Sequence, residues 1–185
     1  MAEPATVAVL PPPADDGSTD EPVTTAQVVE RYQRMVYAIC LTHTACRGDA
    51  DDVFQEVFLT YHRKQPVLNG ADHRQAWLIR TTLTIARRVA TDSWRTRVVP
   101  LRPEDVDQAA AVVFTAGDER ADRLFQALNR LSPTYRSVVH LFYFEDLSVA
   151  AIAALLDLDP AAVKMRLSRG RAKLRQALSE EDSDV

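Results

Sequence analysis

The sequence predicts an all-α fold in which two small helical domains are joined by a flexible linker. Glycine is rare, at 5 of 185 residues, and residues that favour helices dominate the composition. Apolar residues recur at three- and four-residue intervals over several segments, as they do along one face of a helix. Pro133 and Pro160 follow Ser132 and Asp159, a pairing of N-cap and first helical residue that begins helices well.

Charge is unevenly distributed along the chain, which the net value of −4 conceals. Residues 1–24 hold five acidic residues and no Lys, Arg or aromatic residue, and are predicted to form a disordered acidic and Pro-rich tail. Residues 179–185 are predicted to form a second acidic tail. No apolar run approaches the roughly 18 residues of a membrane span, and the N-terminus lacks a signal-peptide pattern. We therefore expect a cytoplasmic protein that has no membrane partner.

Residues 25–98 are predicted to form an N-terminal domain of three helices. The first is expected to begin at Thr24 or Thr25, since either hydroxyl can cap it. The second is predicted from an N-cap at Asp49 to about Lys64. The third follows a loop marked by Pro and Asn-Gly, and is predicted over about residues 72–97.

A second domain of four helices is predicted over residues 119–178. Residues 99–118 have no clear period and contain Pro and acidic residues, so they are predicted to be the linker between the domains. The last two helices are separated by a short turn at Asp157, which makes them a helix-turn-helix.

The last predicted helix is strongly basic, with six Lys or Arg and no acidic residue over Ala161–Leu178. On an ideal helix its apolar residues form one narrow stripe, and cations line both flanks. Two such rows of cations can contact the two phosphate backbones that border a DNA groove, and the residues between the rows can reach base edges. A solvated amphipathic helix and a membrane-surface helix are the alternatives. The candidate DNA-binding residues are Lys164, Met165, Arg166, Ser168, Arg169, Arg171 and Lys173.

The second predicted helix has the opposite character. Asp51, Asp52, Gln55 and Glu56 leave its apolar stripe and form an acidic, hydrogen-bonding face. Taken alone, this pattern is as typical of a solvated helix face as of a binding surface.

Three segments, taken in order, resemble the sigma factors of bacterial RNA polymerase, and specifically their small extracytoplasmic-function (ECF) class. Asp52–Phe58 is similar to the family's D-x-x-Q-E-x-F motif, and Ala76–Arg88 to its promoter-melting helix. Leu131–Leu178 resembles the family's promoter-reading domain almost from end to end. Where the family often has Gly in the turn, this chain has Asp157, which tolerates the left-handed conformation.

The resemblance implies a role for each surface. It implies that Asp51, Asp52, Gln55 and Glu56 dock on the clamp coiled coil of core RNA polymerase, and that the basic helix reads the −35 promoter element. It also implies that the loop before the third helix, and that helix itself, recognise and melt the −10 element. The residues implied for the −10 element are Asn69, His73, Trp77, Arg80, Thr84, Arg87 and Arg88.

The expected function is therefore that of a sigma factor, which is not an enzyme and directs promoter-specific transcription initiation. Core polymerase and promoter DNA are the expected partners, and the resemblance suggests an anti-sigma factor as a further one. A stand-alone helix-turn-helix regulator with a helical sensor domain is the alternative, and a metal-dependent nuclease is a more distant one. For Trp77, a role in the core competes with base stacking.

Cys40, His43 and Cys46 form a C-x-x-H-x-x-C pattern inside a predicted helix. Steps of three residues spread these side chains over about 120° of the helix surface, so they cannot share one metal ion without unwinding it. We therefore expect buried or idle thiols, with zinc binding or redox sensing as the alternative. No metal, cofactor or catalytic residue is predicted.

Overall fold

A computed structural model of the chain describes residues 23–44, 46–96 and 119–183. Within these ranges the regular structure consists of seven helices and no strand. The predicted linker lies outside the described residues, and so does the predicted N-terminal tail up to residue 22. The helices are α1 Thr25–His43, α2 Arg47–Lys64, α3 Gly70–Thr96, α4 Glu119–Arg130, α5 Pro133–Tyr143, α6 Val149–Leu156 and α7 Pro160–Ser183.

Side chains at the N-termini explain where several helices begin. Thr24 caps α1: its hydroxyl accepts from the backbone N–H of Gln27, while the Gln27 side chain accepts from the N–H of Thr24 at 2.8 Å. Ser148 caps α6 by accepting from the N–H of Ala151 at 3.1 Å. Helix α5 begins with Pro133, as predicted. The predicted helix starts at Thr24 and Pro133 are confirmed, although the side chain of Ser132 makes no capping hydrogen bond.

Three predicted boundaries differ from the structure. The N-cap of α2 is Cys46, whose Sγ accepts from the N–H of Asp49 at 3.5 Å, so the prediction of Asp49 as N-cap is wrong. Asp49 instead lies buried in the first turn, where the positive end of the helix dipole favours a carboxylate. Helix α3 begins at Gly70, two residues early, and α7 continues to Ser183, five residues beyond the predicted domain end.

Helices α1, α2 and α3 pack into a three-helix unit around an apolar core. This core buries Val28, Tyr32, Val36 and Cys40 of α1. Val53 and Val57 from α2 and Leu78 and Ala86 from α3 complete this core with no exposed surface. The unit thereby fixes the outward faces of α2 and α3.

Helices α6 and α7 form the predicted helix-turn-helix, packed on α5. The turn contains Asp157 at φ 54°, the left-handed conformation expected for it. Val163 and Leu167 of α7 are buried against α5 and α6. Gly170 lies against α5 so closely that a Cβ built on it would stand 2.7 Å from Cγ2 of Val139.

The two halves of the chain share a second apolar cluster. Ile39 of α1 and Ile79 of α3 have no exposed surface, and their cluster includes Val138, Ile152 and Leu155 of the C-terminal half. The free chain is therefore closed, with the C-terminal half packed against α1 and α3. We call this contact the interdomain interface.

Polar side chains cross the same interface. His43 Nε2 lies 2.9 Å from Ser137 Oγ, and Thr42 Oγ1 lies 3.1 Å from His140 Nδ1. The two imidazole rings meet edge to face with centroids 6.1 Å apart. Burial, and then the neighbouring His140, lower the pKa of His43 to about 3. The interface therefore holds His43 neutral at physiological pH.

We predict that Gly170→Ala destabilises the fold by about 1–3 kcal/mol, because the added methyl group overlaps Val139 and forces α5 and α7 apart. Chemical denaturation monitored by circular dichroism measures this loss. Gly48→Ala is the matched control, since its Cβ meets only Cys46 Sγ at 3.9 Å and gains helix propensity. Equal stability of the two variants would contradict the close packing at Gly170.

We predict that stability falls as pH is lowered from 7 to 5. The pKa of His43 in the folded chain, about 3, lies below its unfolded value of about 6.5. Neutral His43 therefore contributes fully to the free energy of unfolding above pH 6.5, and this contribution decreases as the pH falls below 6.5. Between pH 7 and pH 5 the loss should reach about 2 kcal/mol. His43→Asn should flatten this dependence, whereas the exposed His62→Asn should not. Denaturant titrations at three pH values test both.

Candidate functional surfaces

The basic face of α7 is built as the sequence predicts. The stripe of Val163, Leu167 and Gly170 anchors the helix in the C-terminal half. Its other sides face outward, and the chain has no acidic residue between Ala161 and Leu178 to neutralise them. The predicted DNA-binding residues Lys164, Met165, Ser168, Arg169, Arg171 and Lys173 are exposed, and Arg166 is half-buried.

This face has the chemistry of a groove-reading surface. Met165 is 45% exposed although it is apolar, and Ser168 lies one turn further along the same face. They stand between the two flanks of cations, where base edges would be met, while the cations stand where phosphates would be. The order of a short α6, a turn and then α7 is that of a helix-turn-helix whose second helix enters the major groove.

One face of α3 gathers most of the residues predicted for the −10 element. His73, Arg80, Thr84 and Arg88 are exposed at seven- and four-residue steps along it, the spacing of one helix face. Trp77 belongs to the same face, but it is half-buried and packs edge-on against Tyr61 at 5.5 Å. Trp77 thus anchors the core and also borders the surface. Asn69 is exposed in the loop before the helix, and Arg87 is exposed on the flank of the face.

A groove between α2 and α3 adds cations that the sequence analysis missed. Arg63 and Lys64, at the end of α2, line it together with Arg80 and Arg88 of α3. Glu56 is the acidic residue in the lining. The basic residues at the end of α2 are visible in the sequence, but nothing in the sequence shows that they lie opposite α3. Four cations beside an aromatic ring suit single-stranded nucleic acid.

Arg80 is engaged within the closed chain. Its Nε donates to the carbonyl oxygen of Leu155 at 2.9 Å, and its Nη2 donates to that of Ala154 at 2.7 Å. Both carbonyls belong to the end of α6, so Arg80 spans the interdomain interface. The other predicted cations of this face, Arg87 and Arg88, lie further along α3 and are exposed.

The four residues of the predicted acidic face do not have equal freedom. Asp52 and Gln55 are exposed. Glu56 forms an ion pair with Arg63 at 3.0 Å, and Asp51 accepts from the Tyr37 hydroxyl at 2.8 Å. Burial and the hydrogen bond to Asp51 raise the pKa of Tyr37, which keeps the phenol protonated as a donor. Asp51 therefore joins α2 to α1, and Asp52 and Gln55 are the residues best placed to meet a partner.

Leu59 is a surface residue that the sequence analysis missed. It is 51% exposed and lies one turn after Gln55, on the same stripe as Asp52. The available signal was an apolar residue outside the buried stripe of an amphipathic helix. An apolar side chain beside acidic and amide groups is typical of a protein-binding patch.

Cys40, His43 and Cys46 do not form a joint site. Cys40 is buried in the N-terminal core, where burial raises the pKa of its thiol well above its usual range. His43 turns to Ser137 across the interface, and Cys46 caps α2. Over the described residues, no cluster of three or more His, Cys, Asp or Glu could hold a metal ion. In the same part of the chain, no helix has both the length and the apolar character to cross a membrane.

Two family models match the chain, in order. Sigma-70 region 2 matches residues 28–98, and sigma-70 region 4 matches residues 121–174. The first match covers the α1–α3 unit, and the second extends from α4 into α7. A stand-alone regulator would require only the second, so the pair decides against that alternative.

Known proteins resemble the chain over most of its length. The ECF RNA polymerase sigma factor SigW of Bacillus subtilis (strain 168) is 27% identical, with 84% of this chain and 89% of SigW covered. The RNA polymerase sigma-E factor of Streptomyces antibioticus is 34% identical over 74% of each protein. Two other relatives are longer proteins, of which this chain covers 63% and 40%. The structure of CnrH in complex with the cytosolic domain of CnrY matches at 26% identity and a TM-score of 0.61, with 84% of this chain and 88% of CnrH covered.

Proposed function

The chain belongs to the extracytoplasmic-function class of RNA polymerase sigma factors, and we propose that three of its surfaces divide the work of initiation. As a sigma factor it binds core RNA polymerase and directs promoter-specific transcription, which is not an enzymatic activity. The observation that carries the division is the segregation of charge. An acidic face on α2 and basic faces on α3 and α7 point outward from one closed chain. We place this activity in the cytoplasm, where polymerase works.

The face of α7 is the proposed reader of the −35 element. Lys164, Arg169, Arg171 and Lys173 contact phosphates or base edges from the flanks, and Met165 and Ser168 lie between them. Arg166 is half-buried, so its side chain has less freedom than the exposed cations before DNA arrives. This pre-ordering reduces the entropy lost when the contact forms.

The face of α3 is the proposed binding surface for the −10 element. Arg88, Arg63 and Lys64 support the backbone of the separated strand along the groove between α2 and α3. Trp77 lines that groove with its ring packed against Tyr61, and it is the proposed contact for an unstacked base. His73, Thr84, Arg87 and the loop residue Asn69 supply further polar contacts.

Asp52, Gln55 and Leu59 form the proposed centre of the polymerase contact. The acidic and amide groups favour a basic partner such as the clamp coiled coil, and Leu59 gives the contact an apolar anchor. Glu56 lies beside them but is paired with Arg63, so a basic partner must displace that guanidinium to use it. Asp51 acts in support, by holding α2 to Tyr37.

Residues 25–98 are the proposed unit for polymerase and the −10 element, and residues 119–178 the unit for the −35 element. The two promoter elements lie apart on the duplex, so the halves must separate and residues 99–118 must span the distance. An anti-sigma factor is a further proposed partner. Its proposed site is the groove between α3 and α6, whose lining includes Leu68, Asp72 and Leu147. The complex of the related CnrH with the cytosolic domain of CnrY supports such a partner.

We predict that Asp52→Arg with Leu59→Lys abolishes binding to core polymerase without unfolding the chain, since both side chains are exposed. Removing residues at the centre of an interface typically reduces the binding free energy by more than about 2 kcal/mol. Gel filtration with core polymerase measures the loss. Val67→Lys is the control, because Val67 is 96% exposed in the loop after α2 and outside the patch. If the double variant binds like the wild type, the polymerase face has been placed wrongly.

We predict different signatures for two neighbouring arginines of α7. If Arg171 contacts a phosphate, Arg171→Ala should weaken binding to all duplexes by the same factor. It should also reduce the slope of log affinity against log salt concentration by about one. Arg169→Ala should reduce the free energy of discrimination between bases by about 1–3 kcal/mol, and at one or two base pairs only. Binding measured across a promoter library at several salt concentrations separates these outcomes. Uniform losses that do not depend on salt, from both variants, would argue against groove reading.

A further inference from the structure

Two arginines hold the halves of the chain together in a reciprocal manner. Arg80 of α3 donates to the carbonyl oxygens of Ala154 and Leu155 at the end of α6. Arg136 of α5 donates from Nη1 to the carbonyl oxygen of Thr42 at the end of α1, at 2.8 Å. Each half thus sends one guanidinium to the C-terminal carbonyls of a helix in the other half.

The end of α6 has a clear need for such a donor. Carbonyls in the last turn of a helix have no intrahelical partner and carry the negative end of the helix dipole. The left-handed turn at Asp157 returns the N–H groups of Asp157 and Leu158 to a single oxygen, that of Ala153. The next two carbonyls in the chain, those of Ala154 and Leu155, receive Arg80 instead.

Arg80 uses an edge of its guanidinium that can bind a phosphate through two hydrogen bonds. Nε and Nη2 form one of the two flat forks that grip a phosphate or carboxylate with parallel hydrogen bonds. In the closed chain that fork is occupied by the two carbonyls of α6. A DNA phosphate can take the same fork only after α6 has moved away.

We infer that Arg80 is a conformational switch, in which the end of α6 and the phosphates of single-stranded DNA compete for one guanidinium fork. The inference rests on the proposed contact of Arg80 with DNA. In the closed chain the fork of this cation is occupied, and Ile79 beside it is covered by the C-terminal half. Binding of a strand at Arg80 therefore favours separation of the halves, which the two promoter elements require. By linkage, closure weakens the binding of that strand.

Position 154 allows the competition to be tested without disturbing the core. The Ala154 side chain is exposed, and it lines the same groove as Arg80. Ala154→Glu places a carboxylate near the guanidinium and should strengthen the closed form. Ala154→Gln has the same size and no charge, and serves as the matched control. Each is combined with Arg80→Ala in a double-mutant cycle on the full chain.

Binding of a 12-nucleotide oligo-dT is measured by fluorescence anisotropy at one fixed salt concentration. We expect Ala154→Glu to weaken binding about three- to fivefold more than Ala154→Gln, as a partly exposed ion pair would. In the Arg80→Ala background this difference should largely disappear. A difference of equal size in both backgrounds would mean general repulsion of DNA by the new carboxylate, and would overturn the switch.

Two further readouts separate the inference from the proposed function. If Arg80→Ala leaves oligo-dT affinity unchanged, the proposed DNA contact of Arg80 fails, and the switch fails with it. If Arg80→Ala weakens binding while small-angle scattering shows the same radius of gyration with and without saturating oligo-dT, the DNA contact stands and the switch is overturned. The switch requires that the wild-type radius increases on binding and that Ala154→Glu raises the oligo-dT concentration needed for the increase.

Discussion

The closed form of this protein depends on an apolar cluster that the two halves build around two isoleucines. Ile39 and Ile79 lie on α1 and α3, and the cluster that buries them includes residues of α5, α6 and α7. Full burial of such a side chain is worth roughly 1.5–3 kcal/mol, whereas a hydrogen bond exchanged with water contributes nearer 1 kcal/mol. Two such side chains therefore contribute roughly as much as the five interface hydrogen bonds described above.

The sequence was sufficient to predict the helices, because their signals are local. Caps at Thr24 and Ser148, prolines at the first helical position and a left-handed Asp157 act within a few residues of the chain. The outward face of α7 could also be predicted, since one period and an absence of acidic residues define it. Even the error at Asp49 was local: Cys46, a less usual cap, stands three residues earlier.

The sequence could not predict which side chains meet across the interface. Arg80 belonged to a pattern of cations on α3, and only the packing of α6 against that helix shows that its fork is occupied. Asp51 and Asp52 are adjacent and chemically identical, but Tyr37, fourteen residues away, engages one and not the other. Arg63 likewise belongs to the candidate site only because α2 and α3 together form the groove that it lines. These distinctions depend on contacts between helices. Periodicity in a single sequence shows which face of a helix is apolar, but not which residues of another helix that face meets.

Closure also limits how core polymerase can open the chain. Asp52, Gln55 and Leu59 are exposed in the closed form, so a partner that bound them alone would bind closed and open chains equally well. A ligand with equal affinity for two states shifts neither. Opening must therefore draw on contacts that exist only when the halves are apart, such as those to the covered part of α3 or to the C-terminal half once it has moved. On the proposed assignment, the acidic face recruits the chain to polymerase, and the interface determines which contacts can then open it.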